Sequence, residues 1–245
     1  MTGVQTCALP ISAVAAANPH TIVVMENGGP QVAPWLSSVS AVLEAWYPGQ
    51  RGGEAIANIL FGAVNPSGKL PVTFPPNQAA LPRPVISGPP SSNAVFTVAY
   101  SEGLLVGYKW YDANNIAPLF PFGFGLSYTS FSFSNPAVTG RQVTFDVTNT
   151  GPVAGAEVAQ VYLSLPAATA EAPRRLVGWS KVSLQPGAKQ HVTVAIDEND
   201  SSHPLSYWDV STNAWLTAPG DYTVYVGNSS AASSLSVAGT IHVGP

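Results

Sequence analysis

The sequence predicts two unlike halves, an α/β layer followed by an all-β sandwich of immunoglobulin type. Three observations carry this reading. Short continuous apolar runs alternate with a helical pattern before residue 75, seven prolines crowd residues 71–90, and after residue 129 runs rich in Val, Thr and Tyr recur between turn clusters. At 245 residues and 46% hydrophobic side chains, the chain has the length for one large domain or two small ones, and enough apolar material to exclude general disorder.

In the first zone, Thr21-Ile-Val-Val-Met25 is an apolar run between Pro19 and Asn27-Gly-Gly-Pro30, which predicts a strand buried on both faces. Ala41-Val-Leu-Glu-Ala-Trp46 predicts a second strand, stopped by Pro48-Gly49. Residues 53–61 place Ile56, Ile59 and Leu60 at helical spacing ahead of Gly62, so a helix is expected there. Residues 69–74 are expected to form one more strand. Between Pro75 and Pro90 the proline density excludes regular structure. In the last zone, residues 142–148, 157–163, 176–184, 191–196 and 222–226 read as strands, punctuated by Asn149-Thr-Gly-Pro152, Gln185-Pro-Gly187 and Ala218-Pro-Gly-Asp221. Roughly seven short strands with this spacing fit an immunoglobulin-like sandwich, which is expected to fold alone from about residue 129.

Charged residues are 9% of the chain, against about 25% in ordinary soluble domains, and the net charge is −4. No basic stripe exists to neutralise a phosphate backbone, which excludes nucleic acid and points to an uncharged substrate or partner. No apolar run approaches the roughly 18–20 residues needed to cross a bilayer, so no membrane span is expected. Low charge and abundant Ser and Thr lean toward a periplasmic or secreted parent, with the localisation itself left unknown.

Residues 1–11, MTGVQTCALPI, resemble the translation of a sequencing-library adapter read from a GTG start. Residues 1–12 are therefore set aside as a non-native leader without order of its own, and the chain is expected to be truncated upstream. Cys7, the one cysteine, goes with the leader, which removes any disulfide, cysteine-zinc site or cysteine nucleophile.

Chemistry-bearing patterns are sparse. Gly62-Ala-Val-Asn-Pro-Ser-Gly68-Lys69 looks like a phosphate loop, but five residues separate its glycines where the motif has four, and Leu70 stands where Ser or Thr must reach the metal. His20, His191, His203 and His242 are scattered, with no nucleophile elbow and no metal-ligand spacing. Carboxylates remain for a hydrolase: Glu26, Glu44, Glu54, Glu102 and Asp112. Of these Glu26 follows a buried strand, where α/β sheets place ligands, although capping of the adjoining turn is favoured. The aromatics Tyr108, Trp110, Tyr111, Phe120, Phe122 and Phe124 read as a sugar-stacking platform or, preferably, as packing that docks the connector. Trp208 and Trp215 invite the same two readings, again with packing favoured.

Several long segments resemble glycoside hydrolase family 3. Ala16-Ala-Asn-Pro-His-Thr-Ile-Val-Val-Met25, Gly28-Gly-Pro30, Ala45-Trp-Tyr-Pro-Gly-Gln50, Gly52-Gly-Glu-Ala-Ile-Ala57 and residues 60–74 are similar to the end of that family's second domain. Tyr100-Ser-Glu-Gly-Leu-Leu-Val-Gly-Tyr-Lys-Trp-Tyr-Asp112 and residues 118–129 resemble its connector. Asn149-Thr-Gly, Gly155, Glu157-Val, Gln160-Val-Tyr162, Leu205-Ser-Tyr-Trp-Asp209 and Pro219-Gly-Asp-Tyr222 resemble its fibronectin III-like terminal domain.

The implied organisation is a leader (1–12), an α/β remnant (13–75), a Pro-rich and aromatic connector (76–128), and an immunoglobulin/fibronectin III-like sandwich (129–245). The resemblance further implies a retaining, exo-acting β-glucosidase-like hydrolase acting on neutral β-linked oligosaccharides or glucosides. Its barrel with the aspartate nucleophile and its acid/base glutamate would both lie outside residues 13–245. No catalytic, cofactor-binding or metal-binding residue is therefore assigned, no cofactor is implied, and the chain alone is expected to be inactive. A sandwich acting as a carbohydrate-binding or adhesion module is the alternative, because fold alone does not fix function.

Overall fold

The computed structural model describes residues 3–84 and 97–244. They divide into two compact units that share out the chain in an interleaved way. The first comprises residues 1–64, 73–96 and 118–120, and the second residues 65–72, 97–117 and 121–245. The prolines at 89 and 90 lie outside the described residues.

The first unit opens with helix α1 (Gly3–Ala17). Order here departs from the expected structureless leader, and the physical reason is compositional: five of the last seven residues, from Ile11 on, are Ala or Val ahead of the Asn18-Pro19 stop, and alanine is the best helix former. Strands β1 (Ile22–Met25) and β2 (Ala41–Glu44) form where the apolar runs predict them and pair in parallel, with Ile22 opposite Ala41 and Met25 opposite Glu44. Helix α2 (Gly52–Leu60) ends at Gly62, whose φ of +76° is the left-handed turn that closes a helix. Val23, Trp35 and Phe74 are the buried apolar anchors of this unit.

The strand expected over residues 69–74 does not form. Pro71 removes a ladder donor, and only Phe74 makes a bridge, to Phe120, with Phe74 N–H donating to the Phe120 carbonyl at 2.9 Å.

The second unit is the sandwich. Its three-stranded sheet runs in the order β3 (Phe131–Thr139), β4 (Gln142–Asn149) and β7 (Lys189–Ala195). Its four-stranded sheet has the order β11 (Leu235–Val243), β10 (Gly220–Gly227), β5 (Gly155–Ser164) and β6 (Arg175–Leu184). A short hairpin, β8 (Tyr207–Asp209) and β9 (Ala214–Leu216), stands apart from both sheets. All ladders in this unit are antiparallel. Alternation along the strands turns Val143, Phe145 and Val147 inward from one sheet to meet Val161, Leu163, Val224 and Val226 from the other, all at most 2% exposed. Tyr222 joins that core and spends its hydroxyl on the Leu205 and Ala218 carbonyls, at 3.1 and 2.8 Å.

Segments distant in sequence complete this unit. The Lys69 ammonium meets Glu157 at 2.7 Å with both side chains nearly buried, and also donates to the Gly125 carbonyl at 3.3 Å. Asn65 donates to the Ala154 carbonyl at 3.0 Å and accepts from Ser127 Oγ and the Tyr128 N–H at 2.9 and 2.8 Å. Gly125 lies so close to the Gly68 carbonyl that a Cβ would collide with it. Helix α3 (Tyr108–Ala113) adds Tyr108, whose hydroxyl accepts the Leu176 N–H at 2.9 Å. Among the described residues no helix is long and apolar enough to cross a membrane.

Candidate functional site

Parallel strands leave a crevice beyond their carboxyl ends, where α/β sheets place ligands. Here that end is built from two turns. After β1 come Glu26, exposed, then Asn27 and the Gly28-Gly29-Pro30 turn; after β2 come Ala45, Trp46, Tyr47 and Pro48. The register puts Glu44 beside Met25, and the Ala45 N–H donates to the Met25 carbonyl at 2.8 Å, so both turns leave the sheet together.

Glu44 is half-buried and organises the ledge. Its Oε1 accepts the Trp46 N–H at 3.0 Å, and the Asn27 amide, turned to donate, reaches Oε1 and Oε2 at 3.0 and 3.2 Å. Burial raises its carboxyl above the ordinary value, while those two hydrogen bonds pull it back. Trp46 has a φ of +52°, an uncommon conformation for a bulky residue. It is held there by Glu44 and by its ring, 6.1 Å from that of Phe74. Tyr47 is 82% exposed and its hydroxyl rests where a Cβ on Gly28 would sit. The ledge thus presents one exposed carboxylate and one flat exposed ring, groups suited to a neutral polyhydroxylated ligand. The oxygens of Glu44 are taken up in closing the turn.

The other sequence candidates fall elsewhere. Glu54 pairs with Arg51 in an exposed ion pair at 2.6 Å, of a kind that contributes little. Glu102 sits in the turn before α3, its carbonyl accepting the Leu105 N–H at 3.1 Å. Asp112 binds Arg174 at 2.9 Å; burial raises its carboxyl and the guanidinium opposes that. The four histidines occupy four separate places. His20 is exposed after α1, His191 and His242 each contact an aspartate at 2.8 Å (Asp146 and Asp221), and His203 stacks on Trp215 with centroids 4.4 Å apart. Among the described residues no three His, Cys, Asp or Glu side chains gather to hold a metal ion.

The phosphate-loop look-alike is a clamp: its asparagine and lysine are the Asn65 and Lys69 described above. The aromatic cluster packs as well. Tyr108 meets Phe122 at 5.1 Å and Tyr162 edge-on at 5.9 Å, Tyr111 is buried, and Phe120 sits edge-on to Phe74 at 6.0 Å. Trp208 and Trp215 contact each other edge to face at 5.4 Å. The features that sequence reasoning missed on the ledge are the backbone of Trp46 and the exposed ring of Tyr47; the Trp-Tyr-Pro-Gly run directly after a strand was the available signal.

The described residues thus hold an α/β ledge followed by a seven-stranded sandwich, and sequence comparison shows which family has this arrangement. Residues 5–128 match the glycosyl hydrolase family 3 C-terminal domain, beginning inside the adapter-like segment, and residues 157–230 match the fibronectin type III-like domain. The chain belongs to glycosyl hydrolase family 3. It is 40% identical to a beta-glucosidase of Rhizobium radiobacter over 95% of this chain and 28% of that protein. It is 42% identical to beta-glucosidase B of Emericella nidulans over 89% of this chain and 27% of that one. Among solved structures, DesR, a beta-glucosidase from Streptomyces venezuelae in complex with D-glucose, superposes with a TM-score of 0.85 at 44% identity, covering 98% of this chain and 31% of its own. Beta-glucosidase 3B from Thermotoga neapolitana superposes with a TM-score of 0.85 at 32% identity, over 98% and 34% of the two chains. The chain thus spans 27–28% of the length of these two curated relatives.

Proposed function

We propose that this chain is the C-terminal part of a retaining, exo-acting β-glucosidase-like hydrolase of neutral β-linked glucosides and oligosaccharides, and that it hydrolyses no glycoside alone. In this reading residues 13–75 end the α/β domain, 76–128 connect, and 129–245 are the fibronectin III-like domain. What supports it most is the superposition on a glucose-bound β-glucosidase over 98% of this chain but 31% of the relative. Retaining hydrolysis takes two carboxyl groups about 5–5.5 Å apart, one attacking and one protonating. Glu44 is engaged in its own turn, and Asp112 in an ion pair.

Two assays test the reading. The chain alone, given an aryl β-glucoside and an aryl β-xyloside, should release chromophore at the buffer blank. Grafted in place of the matching portion of the Streptomyces venezuelae relative, it should give an enzyme within about tenfold of that parent. Turnover by the chain alone, abolished by Glu26→Gln or Glu102→Gln, would replace this reading with that of a compact enzyme.

A further inference from the structure

We propose that Asn27-Gly28, just beyond the carboxyl end of β1, is a self-modification site: the Gly28 nitrogen closes on the Asn27 side chain, Glu44 protonates the departing ammonia, and residue 27 becomes aspartate or isoaspartate. The reaction alters the chain's own covalent structure and needs no glycoside, so it goes beyond the glucosidase reading. The nucleophile is unobstructed. Asn27-Gly28 is the one Asn-Gly step in the sequence, and glycine has no Cβ to crowd the approach of its nitrogen to the preceding side chain. Gly28 is exposed, and its N–H donates to no group among the described residues, so no hydrogen bond has to break before it reacts. Beside it there is room to move: a Cβ on Gly29 would meet nothing within 4 Å.

The leaving group is already in place. The Asn27 amide, turned to donate, reaches Glu44 Oε1 and Oε2 at 3.0 and 3.2 Å, so the nitrogen that must depart rests on a carboxyl group. Glu44 is held in that position by the Trp46 N–H, which donates to its Oε1 at 3.0 Å. Burial raises the Glu44 carboxyl above its ordinary value, which enlarges the fraction with a proton to give.

The steps balance. The Gly28 nitrogen bonds to Asn27 Cγ and its proton passes to solvent; the Cγ–Nδ2 bond breaks as Glu44 protonates Nδ2, ammonia leaves, and Glu44 regains a proton from solvent. Water then opens the cyclic imide at either carbonyl, giving aspartate or, with the backbone rerouted through the side chain, isoaspartate. One water enters and one ammonia departs. The product has no amide to donate to Glu44, and two carboxylates then face each other across the contact that had joined the two turns. The ledge around Trp46 loosens as a result.

The test incubates the full chain, native and unfolded in urea, in heavy-oxygen water at neutral pH, with peptide mapping for label at residue 27 and isoaspartyl methyltransferase to score isoaspartate. Native protein should take up label at residue 27 at least about tenfold faster than the unfolded chain, because folding is what sets Glu44 beside the amide. Glu44→Gln keeps an acceptor for the Trp46 N–H but has no proton to give; the native rate should fall at least about tenfold, and the unfolded rate should not change. Gly28→Ala should slow labelling in both states; Gly28 lies outside the left-handed region and the exposed Tyr47 ring can swing away from the added methyl, so this variant keeps the fold. Near-ultraviolet circular dichroism checks that Glu44→Gln is folded, and if it is not, the ratio of native to unfolded rates in the parent decides alone. A native rate equal to or below the unfolded one, an unchanged or raised rate in folded Glu44→Gln, or label concentrated at another asparagine would overturn the proposal. No sugar is present in the assay, so its failure is distinct from failure of the glucosidase reading.

Discussion

Replacing Lys69 by Met removes one charge from a pair whose side chains are 12% and 6% exposed, at an N–O separation of 2.7 Å. Met keeps most of the aliphatic stem, so packing is largely conserved and the perturbation is electrostatic. Glu157 is then left with the Val158 N–H, at 2.7 Å, as its hydrogen-bond donor. A buried charge stripped of its partner costs about 3–5 kcal/mol. With a urea dependence of about 2 kcal/mol per molar, the unfolding midpoint should fall by about 1.5–2.5 M. Substituting both residues, Lys69→Met with Glu157→Leu, removes the stranded charge and should recover most of that loss. Urea melts of the three proteins decide the matter. A single substitution that costs less than about 1 kcal/mol would put the pair in the class of exposed ion pairs and refute the clamp.

Three further outcomes are expected. The Asp146 carboxyl is held well below the usual carboxylate range by hydrogen bonds from Asn135, His191 and Lys189, so the stability it contributes is complete above about pH 4 and fades as pH falls below that; calorimetry from pH 7 downward should show a shallower acid decline for Asp146→Asn. Gly125→Ala drives a methyl into the Gly68 carbonyl and should cost more than about 2 kcal/mol by chemical denaturation. Phe145, fully buried at the centre of β4, should cost about 3–5 kcal/mol when truncated to Ala.

The elements most legible in the sequence were those whose pattern and punctuation agreed. β1, β2 and α2 each begin and end within about two residues of the spans their apolar patterns predict. Within the sandwich, β4, β5, β6, β7 and β10 form where the Val-, Thr- and Tyr-rich runs predict them, and β7 and most of β10 alternate between buried and more exposed residues. β3 was hidden by Asn135-Pro136, which reads as a turn but is a bulge: the register slips between Ser134 and Ala137, and Asn135 takes a φ of +51°. β11 was hidden by Gly239, beside which the ladder with β10 slips again. Residues 69–74 misled in the opposite direction, because an apolar run with a proline in it satisfies its backbone through irregular contacts. On the ledge, Glu26 and Glu44 could be singled out as carboxylates, but which of them faces solvent depends on Asn27 and the Trp46 N–H, groups that acquire meaning only once two turns meet.

The interleaving of the two compact units bears on how such a chain can be cut and recombined. A gene junction placed at residue 129 separates Glu157 from Lys69, Gly123 from the Gln160 side chain that donates to its carbonyl at 3.3 Å, and Leu176 from the Tyr108 hydroxyl. A junction at residue 64 keeps those contacts but transfers Phe74 and Phe120, whose mutual bridge belongs to the α/β unit, to the wrong partner. No single crossover point respects both units. Functional shuffling among relatives should therefore succeed at the start of the α/β portion and fail at the border of the sandwich.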